Sequence, residues 1–296
     1  MKIYDFDVED EIQKIEDNLR NVELIKNSFA DNTLEYRKLS LNIDLDFSVL
    51  SDCIESYERA LLIGVYTYAE QLVKNFYYEL LEKDTAQNIY TRNFVNKKLD
   101  TERFSPNVKY EILESSIKKE LCSDFKFMIK RNREEILKYD ELIKDRHRYA
   151  HRGVYRSSFE QYRDVINAEK YITMELLMIV NHGIDYRIHY QNSWGEIGIQ
   201  LKNCYCLYKQ FNANKNKELK KKLIEQIKLL RSKSRKFYNK YSEYIAGSKL
   251  FDELNTQFIR VNTIDLRFTE SFSIIDDLDN AIENNKIAIS STQRNH

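Results

Sequence analysis

The chain predicts an all-α fold, and three observations predict it. Only one of its 296 residues is proline and six are glycine, which argues against a turn-rich β architecture and favours long helices. Apolar residues recur at three- and four-residue spacing over most of the length. Helix-capping signatures stand before several of those stretches, at Ser51-Asp52, Ser105-Pro106 and Ser157-x-x-Glu160. At this length the chain has ample material for one large or two modest domains, each with its own core. It shows no internal repeat and no low-complexity tract.

Residues 8–30 read as an amphipathic helix, since Ile12, Ile15, Leu19, Val22, Ile25 and Phe29 share one face. Its expected role is packing along the domain that follows or pairing with another chain. Residues 51–83 carry the strongest helical signal. Ser51 and Asp52 can cap it, and Leu61, Leu62, Val65, Tyr68, Ala69, Leu72, Val73, Phe76 and Leu80 form a broad apolar face. Within it Glu70 stands among apolar neighbours. The ordinary reading is a solvated or salt-bridged carboxylate; the sharper one is contact with Arg146 or orientation of a nearby histidine. Residues 85–104 are polar and predict a loop with a short helix. Ser105-Pro106 predicts a restart, with a helix of about three turns from Asn107.

Phe125, Phe127, Met128 and Ile129 read as core, and Lys126, Lys130, Arg131 and Arg133 as a cationic cluster, solvated or holding RNA backbone. Residues 133–145 make a helix with Ile136, Leu137, Leu142 and Ile143 inward, leading straight into Arg146. The capping box at Ser157 opens a long helix through Phe159, Tyr162 and Val165 to Val180, with Gly183 as its stop. His182 and His189 near that end read as structural or exposed. Residues 191–195 look like a boundary. Residues 196–211 fit strand and helix, helix preferred. Residues 215–241 form a basic helix with Leu219, Leu223, Ile227 and Leu230 inward, Lys217, Lys220, Lys221, Lys222, Lys228, Arg231, Lys233, Arg235 and Lys236 outward, and Phe237, Tyr238 and Tyr241 at its end. A solvated charged face and a nucleic-acid surface of phosphate contacts and base stacking fit it equally. Residues 250–285 predict one or two further helical stretches. They are acidic at Asp276, Asp277 and Asp279 and able to dock on the basic helix, and residues 290–296 predict a disordered end. The organisation expected is an arm at 1–44, a helical domain at 45–190 and a mainly helical region at 191–296.

Lysine plus arginine balance aspartate plus glutamate at 47 each, so any nucleic-acid surface must be a local patch. The four cysteines, Cys53, Cys122, Cys204 and Cys206, form no C-x-x-C pair and suit a reducing compartment. No apolar run is long enough to span a bilayer, and the acidic start lacks an apolar signal core, so the expectation is a cytoplasmic protein with no membrane partner.

One segment concentrates chemistry: Arg146-His147-Arg148-Tyr149-Ala150-His151, followed by Arg152 and Gly153. Cutting RNA without a metal requires deprotonating a ribose 2′-OH, stabilising a phosphorane and protonating the leaving 5′-oxygen. Histidine, with an unperturbed pKa of about 6.5, serves as base or acid near neutrality. Arginine offers a planar, permanently charged fork that matches phosphate oxygens. On an unbroken helix Arg146 and His151 point roughly 140° apart. They converge only if the helix breaks between them or if two copies of the segment face each other. Gly153 makes a nearby break plausible.

Arg146-x4-His151 resembles the R-x4-6-H signature of the HEPN superfamily of α-helical ribonucleases and toxins, with the polar His147 following the arginine as is usual there. The stretch from Val65 to Leu72 resembles the first helix of RiboL-PSP-type members, and the similarity covers about residues 45–190. The resemblance implies an up-and-down helical bundle and a metal-independent endoribonuclease without cofactor. It implies Arg146, His151 and His147 as catalytic residues, Arg148, Arg152 and Glu70 as substrate-binding residues, and a homodimer that leaves 2′,3′-cyclic phosphate ends. It further implies a toxin or anti-phage effector checked by an antitoxin or a defence-complex partner. Some members carry a tyrosine two residues after the histidine that a partner enzyme modifies. Gly153 stands there in this chain and Tyr155 lies two further on, so that regulation is not implied.

Other chemistries fit poorly. His147 and His151 are spaced as zinc ligands on a helix, but Arg148 stands where a metalloprotease needs glutamate. No phosphate-binding glycine loop and no G-x-S-x-G elbow is present. The rival to the ribonuclease is a non-catalytic helical module for dimerisation or for nucleotide or RNA binding.

Overall fold

The computed structural model describes residues 2–129, 131–154, 156–245, 260, 262–266 and 272–275. Among these the protein is all-helical apart from a small antiparallel hairpin of β1 (Lys2–Ile3) and β2 (Phe6–Asp7). The helices are α1 (Val8–Asp31), α2 (Thr33–Asn42), α3 (Phe47–Leu80), α4 (Ile89–Lys98), α5 (Tyr110–Glu120), α6 (Glu134–Arg152), α7 (Tyr162–His182), α8 (Ile184–Asn214) and α9 (Lys217–Ile245). No helix of the described residues is long and apolar enough to cross a membrane. The predicted helices over most of 250–285, the acidic residues 276–279 and the end at 290–296 lie outside the described residues, as do Lys130 and Tyr155.

The chain forms two compact units that do not follow chain order: Met1–Leu113 with Glu134–Thr173, and Glu114–Arg133 with Met174–His296. In the first, α3 is the long central element. Its start differs from the capping signature in the sequence: Asp46, in extended backbone, accepts from the Ser48 N–H, and the helix begins four residues before Ser51. Leu62, Val65, Leu72, Val73 and Phe76 are buried along it. α1 packs against it through Ile15, Leu19 and Val22, whereas Ile25, expected inward, is exposed.

The restart at Ser105-Pro106 comes later than the sequence suggests, with α5 beginning at Tyr110. The Tyr110 N–H donates to the Asp140 carboxylate of α6 (2.8 Å). A side chain 30 residues away thus does what a local cap was expected to do. The capping box at Ser157 is likewise replaced: a 3-10 turn, Phe159–Gln161, precedes α7, because Ser157 is bonded elsewhere.

Glu169 of α7 is fully buried in this unit, with neither carboxylate oxygen hydrogen-bonded. Burial pushes its carboxyl well above the ordinary glutamate range. The folded state therefore binds a proton that the unfolded chain releases. This contribution is fully present below the unfolded pKa of about 4.3 and is lost as pH rises through the raised folded value. Glu169→Gln is expected to flatten that decline, as read by urea unfolding at several pH values; an unchanged pH profile would contradict a protonated Glu169.

In the second unit α8 and α9 form an antiparallel helical hairpin. Its seam stacks Tyr190 and Trp194 of α8 against Phe237 and Tyr241 of α9, and Gln200 bonds Gln226 (2.8 Å). The turn between them is closed by Lys215 in the left-handed region (φ 49°). Residues 191–195, read as a boundary, lie inside α8, where Trp194 is buried. A buried indole against the Phe237 ring of the neighbouring helix overrides the local polar signal. Burial likewise pushes the Cys204 thiol up to about 12, so it is an inert packing residue. Arg133, expected in a surface cationic cluster, is buried.

Candidate functional site

α6 carries the arginine–histidine segment. Glu134 and Glu135 occupy its first turn, suiting the positive end of the helix, and His151 and Arg152 occupy its last, suiting the negative end. Ile136, Tyr139, Leu142 and Ile143 bury its inner face. The helix runs unbroken through Arg152. Gly153 ends it with φ 69° and donates its N–H to the Tyr149 carbonyl (2.9 Å). This is the left-handed closure that glycine adopts most cheaply. The break therefore falls after the segment, not between Arg146 and His151. Within one chain the two side chains point apart by roughly 140°.

Tyr66 of α3 is the residue around which the segment gathers, and the sequence reading gave it no role. The Arg146 guanidinium lies over its ring, 4.0 Å from the centroid. The His147 imidazole meets the same ring edge-on at 5.9 Å. Tyr66 is buried, which raises its phenol above the ordinary value; the Glu70 charge adds to the rise and Arg146 opposes it. Glu70, one turn further along α3, accepts from the Ser105 hydroxyl (2.9 Å) and pairs with Lys74 (3.3 Å). Its charge is felt at the Tyr66 phenol, but its polar contacts are with Ser105 and Lys74 and not with Arg146, contrary to the sharper expectation from the sequence. Partial desolvation lowers the His147 pKa, and the positive charges of Arg146, Lys109 and His151 lower it further.

Asp145 is the second residue the sequence reading missed. Its side chain is fully buried. One oxygen accepts from Arg148 (2.6 Å). The other accepts from the Arg156 N–H (2.9 Å), the Ser157 N–H (2.5 Å) and the Ser157 hydroxyl (2.6 Å). Burial pushes its carboxyl up, and these donors outweigh burial, leaving it below the ordinary aspartate range. The chain after Gly153 is thereby tied back onto the helix it has just left. Arg148, expected to position substrate, is anchored to Asp145. His151 and Arg152 are exposed on the last turn. Asp145 did leave a trace in the sequence, an acid immediately before Arg146 amid the buried residues of a helix.

The structure thus groups Arg146 and His147 about Tyr66, with the Lys109 charge felt at His147 and His151 a turn beyond, and holds Glu70 and Arg148 in separate polar contacts. Among the described residues no three His, Cys, Asp or Glu side chains come together as a metal site would require. A groove of about 560 Å³ between α1 and α3, lined by Asn18, Val22, Ile25, Tyr57 and Leu61 among others, includes none of the segment.

The lowered His147 pKa yields an expected titration. By NMR, its imidazole should lose its proton below the ordinary 6.5, and Lys109→Gln should raise the midpoint by removing a nearby cation. Because the folded value is depressed, the linked stability is present above the unfolded pKa and is lost as pH falls through the folded one. A His147 midpoint at or above 6.5 would contradict the assignment.

No family model, no curated protein and no solved structure matches this chain.

Proposed function

We propose that the protein is a metal-independent endoribonuclease of HEPN type that acts as a homodimer, with two copies of the α6 segment meeting at a two-fold axis. The observation that carries this reading is the Arg146 guanidinium held over the Tyr66 ring, with His147 meeting the same ring and His151 exposed one turn beyond. A cation–ring contact of this kind engages the charge of the guanidinium and leaves N–H donors for phosphate oxygens. Since Arg146 and His151 diverge on one helix, a second copy supplies the missing convergence, and isologous pairing is the commonest oligomer geometry. Exposed apolar side chains near the segment, Ile63 on α3 and Val154 after Gly153, give such a seam surface to bury.

In the reaction, His151 of one protomer takes the proton from the ribose 2′-OH, and the 2′-oxygen attacks phosphorus. The P–O5′ bond breaks and the other protomer's His151 protonates the leaving 5′-oxygen, giving a 2′,3′-cyclic phosphate. Arg146 holds the scissile phosphate, His147 and Arg152 position substrate, and Arg148 supports them from its anchor on Asp145. The biological role that follows is a toxin or anti-phage effector in the cytoplasm, restrained by an antitoxin or a defence-complex partner.

A second reading has its own support. Arg148 is committed to Asp145 and Arg146 to Tyr66, contacts that also suit a non-catalytic helical module that binds nucleotide or RNA or dimerises. Incubating purified protein with total RNA in EDTA separates the two. Cleavage that depends on His151 supports the enzyme, and tight binding without cleavage supports the module.

A further inference from the structure

α9 carries eight lysines and two arginines against three glutamates, a local excess of seven positive charges in a chain whose charges balance. Its apolar face is already used: Leu223, Ile227, Leu230, Phe237 and Tyr241 are buried. That burial fixes where the charges point. Lys217, Lys221, Lys228 and Arg235 are exposed and fall at intervals of four, seven and seven residues. They form one straight edge about 27 Å long. Lys222 and Lys236, also exposed, follow the opposite edge.

These six cations differ from several other lysines of the protein, which are held in ion pairs. Lys14, Lys26, Lys74, Lys138 and Lys170 each meet a carboxylate, and so does Lys233 of α9 itself, with Glu196. Among the described residues no carboxylate pairs with the outer six. Like charges aligned on one helix edge repel, and a polyanion laid along the edge relieves that repulsion.

We infer that the outer face of α9 is a binding surface for the phosphodiester backbone of RNA, separate from the α6 segment. A lipid surface fits poorly, because a helix lying in a membrane interface inserts its apolar face, and that of α9 is packed against α8. The only large apolar side chain exposed on α9 among the described residues is Leu229. The burial of Phe237 and Tyr241 leaves only the half-buried Tyr238 of the three rings that the sequence suggested as a stacking platform. Recognition is therefore chiefly through phosphates, largely independent of base sequence and strongly salt-dependent. The ribonuclease reading enters only in the choice of RNA over DNA.

The test uses the full chain carrying His151→Ala, so that cleavage does not consume the probe, and a fluorescent 20-base-pair RNA duplex in EDTA. Kd is measured by anisotropy from 50 to 200 mM KCl. The triple variant Lys221→Gln/Lys228→Gln/Arg235→Gln, in the same background, is expected to bind at least tenfold more weakly at 50 mM KCl. Its slope of log Kd against log salt should be shallower by about 3, near one per lost phosphate contact, with helical content unchanged by circular dichroism. Equal affinity and slope in the two proteins overturn the inference, as does no binding by the His151→Ala chain at 50 mM KCl. Tighter binding of a DNA duplex of the same sequence overturns the choice of RNA. If the unsubstituted chain fails to cut RNA while binding still depends on the three cations, the surface stands and the ribonuclease reading falls.

Discussion

Replacing His151 by alanine is expected to lower RNA cleavage by about 10² to 10⁴-fold, the usual effect of removing one acid–base group. The effect belongs to chemistry because the fold does not depend on this side chain. His151 is exposed on the last turn of α6, so truncation opens no cavity, and the helix end is closed by Gly153 and its bond to Tyr149. In a homodimer one substitution removes both the base and the acid, which places the loss toward the upper end of the range. Arg146→Lys keeps the charge but gives up the planar fork held over the Tyr66 ring, and is expected to fail as well. The assay is cleavage of total RNA in EDTA, with product ends examined for 2′,3′-cyclic phosphate. Full activity of either variant in highly purified protein, or products ending in a 5′-phosphate from metal-dependent cleavage, would falsify the proposed mechanism.

The largest stability effect is expected in the second unit. Arg187 of α8 and Glu175 of α7 are both fully buried and paired. Arg187 also donates to the Lys126 carbonyl (3.0 Å), and Glu175 accepts from the Met128 N–H (3.1 Å). The pair therefore fastens the stretch before α6 onto the helices of its unit. Burial pushes the Glu175 carboxyl up, while the charge of Arg187 and the hydrogen bonds pull against it. Arg187→Met would leave a buried carboxylate alone and is expected to cost about 3–5 kcal/mol. The double variant Arg187→Met/Glu175→Leu, which removes both charges, is expected to recover much of that loss, since well-packed apolar replacements of buried pairs are often neutral. Urea unfolding of the three proteins measures both. A loss below about 1 kcal/mol in the single variant, typical of an exposed pair, would show that the two side chains are not held together in the interior.

The helical class and most of the long helices could be read from the chain because periodicity and the scarcity of breakers are local properties. α1 and α9 fall within a few residues of the apolar pattern, and Gly183 ends α7 as expected, with φ 84°. Helix starts were less legible. Asp46, Asp140 and Asp145 took over capping and turn-closing roles from Ser51, Ser105 and Ser157. In the latter two cases the deciding bond joins residues 30 and 12 positions apart, which no window of sequence contains.

The sequence by itself determined the all-helical class, the clustering of arginine and histidine at 146–152, and the basic character of the helix near residue 220. These depend only on residue type and spacing along the chain. Tertiary structure alone decided that the segment stays helical to Arg152 and that Tyr66 lies beneath Arg146. It also decided that Asp145 ties down the chain after Gly153 and that Phe237 and Tyr241 of α9 face the core. Each of those outcomes was set by which groups lost water together, and burial is a property of the packed molecule rather than of any stretch of it.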